Sequence, residues 1–296
     1  MTGFSHTPVL LDEVLEYLEP VPGGVYADVT VGGGGHAREI LERSAPDGRL
    51  VATDRDPAAL HEATAMLQPF GDRAIVRKAR IRELGDVLDE LGIDAVDGLV
   101  ADLGVSSAQL DQAQRGFSIQ QDGPIDMRMD PSEGDTALDV IAANSADQLA
   151  DLIYHYGEER RSRRIARSLR RAYEDGELET TSDLVRAIHK ATGPKRGRID
   201  PATRTFQALR IAVNQELEEL EALLAQLPSL LREGGVAAVI SFHSLEDRLV
   251  KHAFRDTPEL EPLTKRPVVA KDEERDSNPR SRSAKLRAAK HVRGEA

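Results

Sequence analysis

A run of four glycines and an aspartate that follows it are residues that could together hold a nucleoside. The run covers residues 32–35, and Asp54 lies twenty residues after Gly34. Glycine lets the backbone approach a ligand closely, and a carboxylate can accept hydrogen bonds from ribose hydroxyls. Read as Gly32-x-Gly34-x-x-Ala37, the run also meets the loose dinucleotide fingerprint. These residues predict a nucleoside cofactor without separating NAD from S-adenosylmethionine, and the alternative is a purely structural tight turn.

A second aspartate, Asp102, begins the segment Asp102-Leu-Gly-Val-Ser-Ser107 at the end of another apolar stretch. In an open α/β sheet, ligands bind at the carboxyl ends of the strands. If the apolar stretches are parallel strands, the glycine run, Asp54 and Asp102 all fall on one edge. Three such features favour a ligand site there, although Asp102 taken alone fits a helix cap equally well.

The elements that would position these residues follow a strand–helix alternation over the first hundred residues. The pattern predicts strands at 25–31, 50–53, 74–77 and 98–103, with helices at 37–43, 57–67 and 81–91 between them. This order predicts a parallel sheet with helices on both faces. The alternation resumes late in the chain, with a long helix at 203–225, a strand at 235–241 and a helix at 244–254.

Between these two α/β portions the sequence has no convincing core strand. Helical periodicity is found at 137–143, 146–156, 160–173 and 182–192, and the polar residues 271–282 near the end of the chain are expected to form a loop. We therefore predict a Rossmann-like α/β fold with a parallel-rich sheet from residues 1–109 and 201–296. An all-helical domain at 110–200 is inserted in it, with a role in substrate recognition.

The charge of the chain is unevenly distributed. The 296 residues carry a formal net charge of −12, yet residues 155–210 have a net charge of +6 and residues 265–296 of +5, which leaves −23 for the remainder. Segregation of this kind is expected of a protein with an anionic partner such as RNA. Two solvated charged surfaces are the alternative interpretation.

The composition excludes several kinds of chemistry. The chain has no cysteine, which rules out disulfides, a thiolate nucleophile and cysteine-ligated metal. The sequence shows no cluster with metal-site spacing, so we expect no metal requirement. It also contains no apolar run near the ~18 residues of a membrane span, and no secretion signal is evident. We expect a cytoplasmic protein that does not contact a membrane.

Ten motifs follow one another along the chain in the order found in one enzyme family. They are His6-Thr-Pro-Val-Leu-Leu-Asp-Glu13, Gly32-Gly-Gly-Gly-His36, Asp54-Arg-Asp-Pro57, Asp102-Leu-Gly-Val-Ser-Ser107, Gly116-Phe-Ser118, Asp122-Gly-Pro-Ile-Asp-Met-Arg-Met-Asp130, Tyr156-Gly-Glu-Glu-Arg160, Pro201-Ala-Thr-Arg-Thr-Phe-Gln207, Ser241-Phe-His-Ser-Leu-Glu-Asp-Arg248 and Asn278-Pro-Arg-Ser-Arg282. From about His6 to Val292, the chain resembles the bacterial small-subunit ribosomal RNA cytosine-N4 methyltransferases. The resemblance implies S-adenosylmethionine as cofactor, a methyltransferase fold with a helical insert, and RNA in the assembled small subunit as substrate.

The resemblance also implies a set of cofactor contacts. They fall on Gly34, Gly35, His36, Asp54, Asp102 and Gln109. A further contact of the family, usually aromatic, falls on Ile81, which can pack against adenine but cannot stack as a ring does. A core helix position is the alternative for Ile81.

A cytosine N4 amine is a poor nucleophile, because its lone pair is delocalised into the ring. A group that accepts a hydrogen bond from the amine helps to turn the lone pair toward the methyl group. Positioning supplies most of the rate gain, and an acceptor for the proton supplies the rest. Many amino-methyltransferases carry Asp/Asn-Pro-Pro-aromatic after the fourth strand, and this chain departs from that pattern at Asp102. Asp102, Asp126 and His243 are the candidate catalytic residues, with Asp130 also near the expected site. A structural role is the alternative for a lone histidine such as His243.

Arginines in the predicted insert are the candidate RNA contacts. Arg164, Arg167 and Arg171 share one helical face with Arg160, and arginine suits the geometry of phosphate. Lys195, Arg196 and Arg198 add a basic loop. The alternative is a solvated helix paired with neighbouring acids. The target cytidine is expected to be single-stranded or flipped out of its stack.

Two other functions fit part of the pattern. An NAD-dependent oxidoreductase would share the glycine run and Asp54, but the sequence lacks the Tyr-x-x-x-Lys pair that handles hydride in many such enzymes. A non-catalytic RNA-binding assembly factor that retains a relic cofactor site is the other alternative.

Overall fold

The computed structural model describes residues 8–193 and 200–293. The chain divides into two compact units, the first made of Met1–Gly104 and Leu217–Ala296 and the second of Val105–Glu216. Among the described residues, no helix has both the length and the apolar character that a membrane span requires.

The first unit is built on a seven-stranded sheet. Its strands are β1 Val25–Asp28, β2 Arg49–Asp54, β3 Ala74–Lys78, β4 Val96–Asp102, β5 Leu231–Ser241, β6 Leu260–Pro262 and β7 Lys285–His291. They lie in the order β3-β2-β1-β4-β5-β7-β6, in which β1 to β5 pair in parallel and β6 and β7 are antiparallel. The predicted α/β fold with a parallel-rich sheet is confirmed.

Helices occupy much of the rest of the described chain. They are α1 Leu11–Leu18, α2 Gly35–Arg43, α3 Pro57–Leu67, α4 Leu84–Glu90, α5 Ser107–Asp111, α6 Ala137–Ala143, α7 Ala146–Gly157, α8 Ser162–Glu174, α9 Thr181–Thr192, α10 Ala202–Asn214, α11 Glu216–Leu230, α12 Ser244–Asp256 and α13 Asp272–Ser277. In the first unit the buried apolar residues form two clusters, because the central parallel strands are covered on both faces.

The register of the parallel strands brings their carboxyl ends to one edge of the sheet. Asp102 at the end of β4 pairs with Ile240 of β5, and Asp54 at the end of β2 pairs with Lys78 of β3. Asp28 closes β1 between β2 and β4. We call this side of the first unit the carboxyl edge.

The second unit is helical, and its local sequence explains where several helices begin. Thr136, Ser145 and Thr180 each cap a helix with a side-chain oxygen, while the residue three positions later returns a hydrogen bond to the cap. Such capping boxes satisfy the free N–H groups of a first turn. The apolar faces of α6 to α10 meet in one core that includes the fully buried Ile165 and Leu169.

Several element boundaries differ from the sequence predictions. The predicted insert, residues 110–200, lies within the second unit, which extends to Val105 and Glu216. The helix predicted at 160–173 begins only at Ser162, so Arg160 precedes it. The predicted loop at 271–282 is wrong, because it contains α13 and a 3-10 helix over Pro279–Arg282. The helix predicted at 81–91 begins as a 3-10 turn over Ile81–Glu83.

The prediction of one long helix at 203–225 is also wrong, because this stretch forms two helices, α10 and α11. The break occurs at Gln215, whose φ of 52° and ψ of 39° place it in the left-handed region. The apolar periodicity continues across this residue, so periodicity alone does not reveal the break. A non-glycine residue in this region is destabilised by contact between its Cβ and the backbone.

Gln215→Gly should therefore stabilise the protein, by about 0.5–1 kcal/mol, because relief of this contact exceeds the extra chain entropy of glycine in the unfolded state. Urea denaturation followed by circular dichroism measures the change. Glu221→Gly, at an exposed position within α11, is the control and should destabilise by about 1 kcal/mol. Equal destabilisation by both variants would contradict this account of the break.

Candidate active site

The glycine run forms a tight loop between β1 and α2 at the carboxyl edge. Gly32 and Gly34 have positive φ values of 50° and 85°, which favour glycine over every other residue. Gly34 is also the N-cap of α2. The N–H of Gly32 donates to Oδ2 of Asp54 at 3.0 Å, so the end of β2 fixes the loop that follows β1.

Gly35 and His36 have a second role that the sequence did not reveal. A Cβ on Gly35 would lie 2.3 Å from Cγ of Pro8, so only glycine lets the N-terminal segment pack here. The buried His36 ring places Nε2 3.0 Å from the carbonyl oxygen of Val9. Burial lowers the pKa of His36, which favours a neutral ring. Both residues therefore hold Pro8 and Val9 against the start of α2, and their contact with a cofactor stays a prediction.

Asp54 is held by two backbone donors. Besides Gly32, the N–H of Asp56 donates to its Oδ1 at 2.9 Å. Burial raises the pKa of Asp54 to about 6, against the lowering effect of these hydrogen bonds. A carboxylate offers about four acceptor positions, so Asp54 retains capacity for ribose hydroxyls.

Ile81 follows β3, whose last residue, Lys78, pairs with Asp54. The N–H of Ala79 donates to the carbonyl oxygen of Asp54 at 3.1 Å, which places the start of this segment at the end of β2. The Ile81 side chain is partly buried and packs against one core cluster of the first unit. This placement is compatible with both interpretations of Ile81, the adenine contact and the core position.

Asp28 and Asp102 are linked through one threonine. The N–H of Thr30 donates to Oδ1 of Asp28 at 3.1 Å, and the N–H of Asp102 donates to Oγ1 of Thr30 at 2.6 Å. Asp28 is only 2% exposed. Burial, together with the smaller effect of the charges of Asp102 and Asp54, raises its pKa to about 8. Asp28 is not among the site residues predicted from the sequence.

Asp102 has an acceptor atom that the fold leaves available. Its Oδ1 is buried and has no hydrogen-bond partner among residues 8–193 and 200–293. A buried acceptor without a partner is destabilising, and such an atom at the carboxyl edge is suited to bind a ligand donor.

His243 is fixed as the N-cap of α12. Its Nδ1 accepts from the N–H of Glu246 at 3.4 Å, and its Nε2 lies 3.2 Å from Oε1 of Glu246. Glu246 is itself 2% exposed. Both ring nitrogens of His243 therefore face the turn that begins α12, which supports the structural interpretation of this histidine.

Arg280 and Phe242 are further residues at this edge that the sequence analysis did not assign to the site. The Arg280 guanidinium lies 5.3 Å from the centroid of the Phe242 ring. The charges of Arg280 and Asp102 are both near enough to affect the pKa of His36. The sequence signal for Arg280 is the motif Asn278-Pro-Arg-Ser-Arg282, which lies in the segment predicted to form a loop.

Two further predicted site residues, the cofactor contact Gln109 and the candidate catalytic residue Asp126, lie in the second unit. Gln109 closes the cap of α5, because its Oε1 accepts from the N–H of Ser106 at 2.9 Å. Asp126 forms a bidentate ion pair with Arg128, in which Nε donates to Oδ1 at 2.8 Å and Nη2 donates to Oδ2 at 2.7 Å. Although burial acts to raise it, the pKa of Asp126 is lowered by these contacts with Arg128.

The predicted RNA contacts also belong to the second unit. Arg164, Arg167 and Arg171 are exposed on α8. By contrast, Arg170 donates to the carbonyl oxygens of Ile141 and Ala142. Lys195, Arg196 and Arg198 lie outside the described residues.

Comparison with known proteins gives a consistent result over the full chain. The family described as the MraW methylase family matches residues 3–292. A protein of Sorangium cellulosum named ribosomal RNA small subunit methyltransferase H is 56% identical over 293 residues, which cover 99% of this chain and 92% of that protein. Proteins of the same name are 52% identical in Geobacter sulfurreducens, covering 98% of this chain and 99% of that protein, and 50% identical in a Cyanothece strain, covering 98% and 95%.

Asp28→Asn should change how stability depends on pH. The Asp28 carboxyl has a pKa of about 8 when folded and about 3.9 when unfolded. Between these values the folded chain binds the extra proton, so its stability falls as the pH rises. Asparagine keeps the acceptor for Thr30 without that titration.

We expect Asp28→Asn to gain about 1–3 kcal/mol relative to the parent between pH 5 and pH 8. Denaturant unfolding of the free protein at both values measures this gain. The exposed Asp89→Asn is the control and should show no such change. A parent-minus-variant difference that is constant with pH would be inconsistent with a protonated Asp28.

Proposed function

Because this chain belongs to the MraW methylase family, we propose that it transfers a methyl group from S-adenosylmethionine to the N4 amine of a cytidine in small-subunit ribosomal RNA. The family and the names of its relatives support the methyl donor and the ribosomal RNA. The proposal that an amine receives the methyl group rests on Oδ1 of Asp102, which is available at the carboxyl edge to accept a hydrogen bond.

The residues of the carboxyl edge fit this cofactor. The positive φ values of Gly32 and Gly34 create a loop that a ligand can approach closely. Asp54 retains acceptor capacity that suits the ribose hydroxyls. When bound, the cofactor supplies an electrophilic methyl group on a sulfonium.

Asp102 is the best-placed group to assist the amine. A hydrogen bond from N4 to Oδ1 orients the amine, and the same oxygen receives the proton that the nitrogen loses as its new bond forms. Asp126 is less suited, because Arg128 engages both of its oxygens and lowers its pKa. His243 is less suited because its Nδ1 accepts from the N–H of Glu246 and its buried Nε2 lies beside the Glu246 carboxyl group.

The product of the reaction is the direct test of this proposal. Undermethylated small subunits incubated with the protein and labelled S-adenosylmethionine should yield N4-methylcytidine on nucleoside mass spectrometry. Asp102→Asn should lower the rate by roughly 100-fold or more, as expected for loss of a general base, while calorimetry shows that the cofactor still binds.

Two results would contradict the proposal. A C5-methyl product would contradict the amine as acceptor, and it would be unexpected in a chain without cysteine. Cofactor and RNA binding without any transfer would support the non-catalytic assembly factor instead.

The helical unit supplies a surface suited to the RNA backbone. Among the described residues, no carboxylate pairs with Arg164, Arg167 or Arg171, although acids neutralise many other arginines. Three exposed cations on one face of α8 therefore keep their charge for an anionic partner. We propose that this face contacts phosphates, and that Lys195, Arg196 and Arg198 add to it.

Replacing Arg164, Arg167 and Arg171 with Glu should weaken RNA binding and flatten its dependence on salt, by about one unit of slope for each lost phosphate contact. Filter binding of small subunits across a range of salt concentrations measures both. Cofactor affinity should stay unchanged, because Asp54 and the glycine loop belong to the first unit.

The matched control is Arg186→Glu with Lys190→Glu in the same unit. These cations are exposed, but their charge is already offset by Asp183 and Glu177. If the α8 variant binds and methylates subunits with the parent's salt slope, its arginine face has no role in RNA binding.

A further inference from the structure

An aromatic residue, Phe242, follows the strand next to the one that ends in Asp102. Phe242 directly follows β5, and β5 pairs with β4 up to the register Asp102–Ile240. The N–H of Leu103 donates to the carbonyl oxygen of Ile240 at 3.0 Å. The two strands therefore deliver Asp102 and Phe242 to neighbouring positions.

The backbone after Asp102 is shaped to accommodate this ring. Gly104 has a φ of 85°, and a Cβ built on it would lie 3.4 Å from Cδ2 of Phe242. The ring thus rests against the backbone two residues after Asp102. A residue with a side chain would be strained at this φ, and its Cβ would be in contact with the ring.

A buried glutamate holds the backbone of the turn that contains Phe242 and His243. The buried Glu246 accepts from the N–H of Phe242 at 2.8 Å and from the N–H of His243 at 3.2 Å, both at Oε2. The ring is partly buried against an apolar cluster of the first unit, and the Arg280 guanidinium lies 5.3 Å from its centroid. Phe242 is therefore held in place, with part of its surface exposed.

The position of Phe242 distinguishes it from the other aromatic residues described in the first unit. Tyr17 and Phe254 lie in helices, Tyr26 lies in the first half of β1, and Phe70 precedes β3 at the opposite edge of the sheet. Phe242 alone among these five follows a parallel strand at its carboxyl end.

We propose that Phe242 and Asp102 form a nucleobase subsite in which the target cytosine packs on the Phe242 ring and donates its N4 amine to Asp102. This inference rests on the proposed function and names the residues that select the base. Stacking on an aromatic ring tolerates any base. Discrimination then comes from the carboxylate, which accepts from the amine of cytosine and repels the O4 carbonyl of uracil.

The test compares Phe242→Leu with Phe242→Tyr. Leucine keeps an apolar side chain but removes the ring, and tyrosine keeps the ring. We expect kcat/KM for small subunits to fall roughly tenfold or more in Phe242→Leu and to remain within about threefold of the parent in Phe242→Tyr. The control is Phe70→Leu, which removes a ring that also packs against an arginine, Arg73, at 5.8 Å, and it should transfer as the parent does.

A second measurement uses no methyl transfer. Saturation-transfer NMR should show contact between the protein and the ring protons of cytidine monophosphate, weaker contact with uridine monophosphate, and loss of both in Phe242→Leu. Calorimetry should give the same cofactor affinity for all variants.

The outcomes separate the two proposals. Parent-like transfer by Phe242→Leu, or an equal loss in the leucine and tyrosine variants, would overturn the subsite. If the parent transfers no methyl group but binds cytidine monophosphate through Phe242, the proposed function fails and the subsite stands.

Discussion

Three carboxyl groups at the ends of three adjacent parallel strands are the constraint on which the rest of the first unit depends. Asp28, Asp54 and Asp102 are brought together by the register of β2, β1 and β4, in surroundings that raise the pKa of the first two. Burial of like charges is costly unless hydrogen bonds or a cation offset it. The glycine loop and Thr30 provide N–H donors for that purpose, and Asp102 retains an oxygen for a ligand.

This arrangement explains how binding and chemistry can share one edge. Asp54 accepts from backbone N–H groups that hold the glycine loop in place, so the same residue fixes the loop and is proposed to bind the cofactor. The proposed acceptor, Asp102, ends β4, the Phe242 ring follows the neighbouring β5, and the Arg280 guanidinium lies 5.3 Å from the centroid of that ring. A guanidinium near these acids offsets part of their negative potential. The edge therefore combines an acceptor, a flat apolar surface and a cation within one unit.

The second unit follows a different electrostatic rule. Several of its arginines form ion pairs with nearby carboxylates. Arg170 donates to two backbone carbonyl oxygens. The cations on one face of α8 keep their charge. An acidic chain can bind RNA if its positive charge is concentrated in this way, because salt-dependent binding follows local phosphate contacts and not the net charge.

The sequence by itself determined the succession of strands and helices along the α/β portion, the glycine run, and the placement of Asp54 and Asp102 on one edge, because these follow from local periodicity and from the direction of parallel strands. Only the tertiary structure decided that His36 bonds to Val9, that Gln215 divides a predicted helix, and that Arg280 lies over Phe242. The late strands β6 and β7 and the role of Asp28 were equally invisible. Each of these depends on packing between segments distant in the chain, and local pattern does not encode which distant residues will meet.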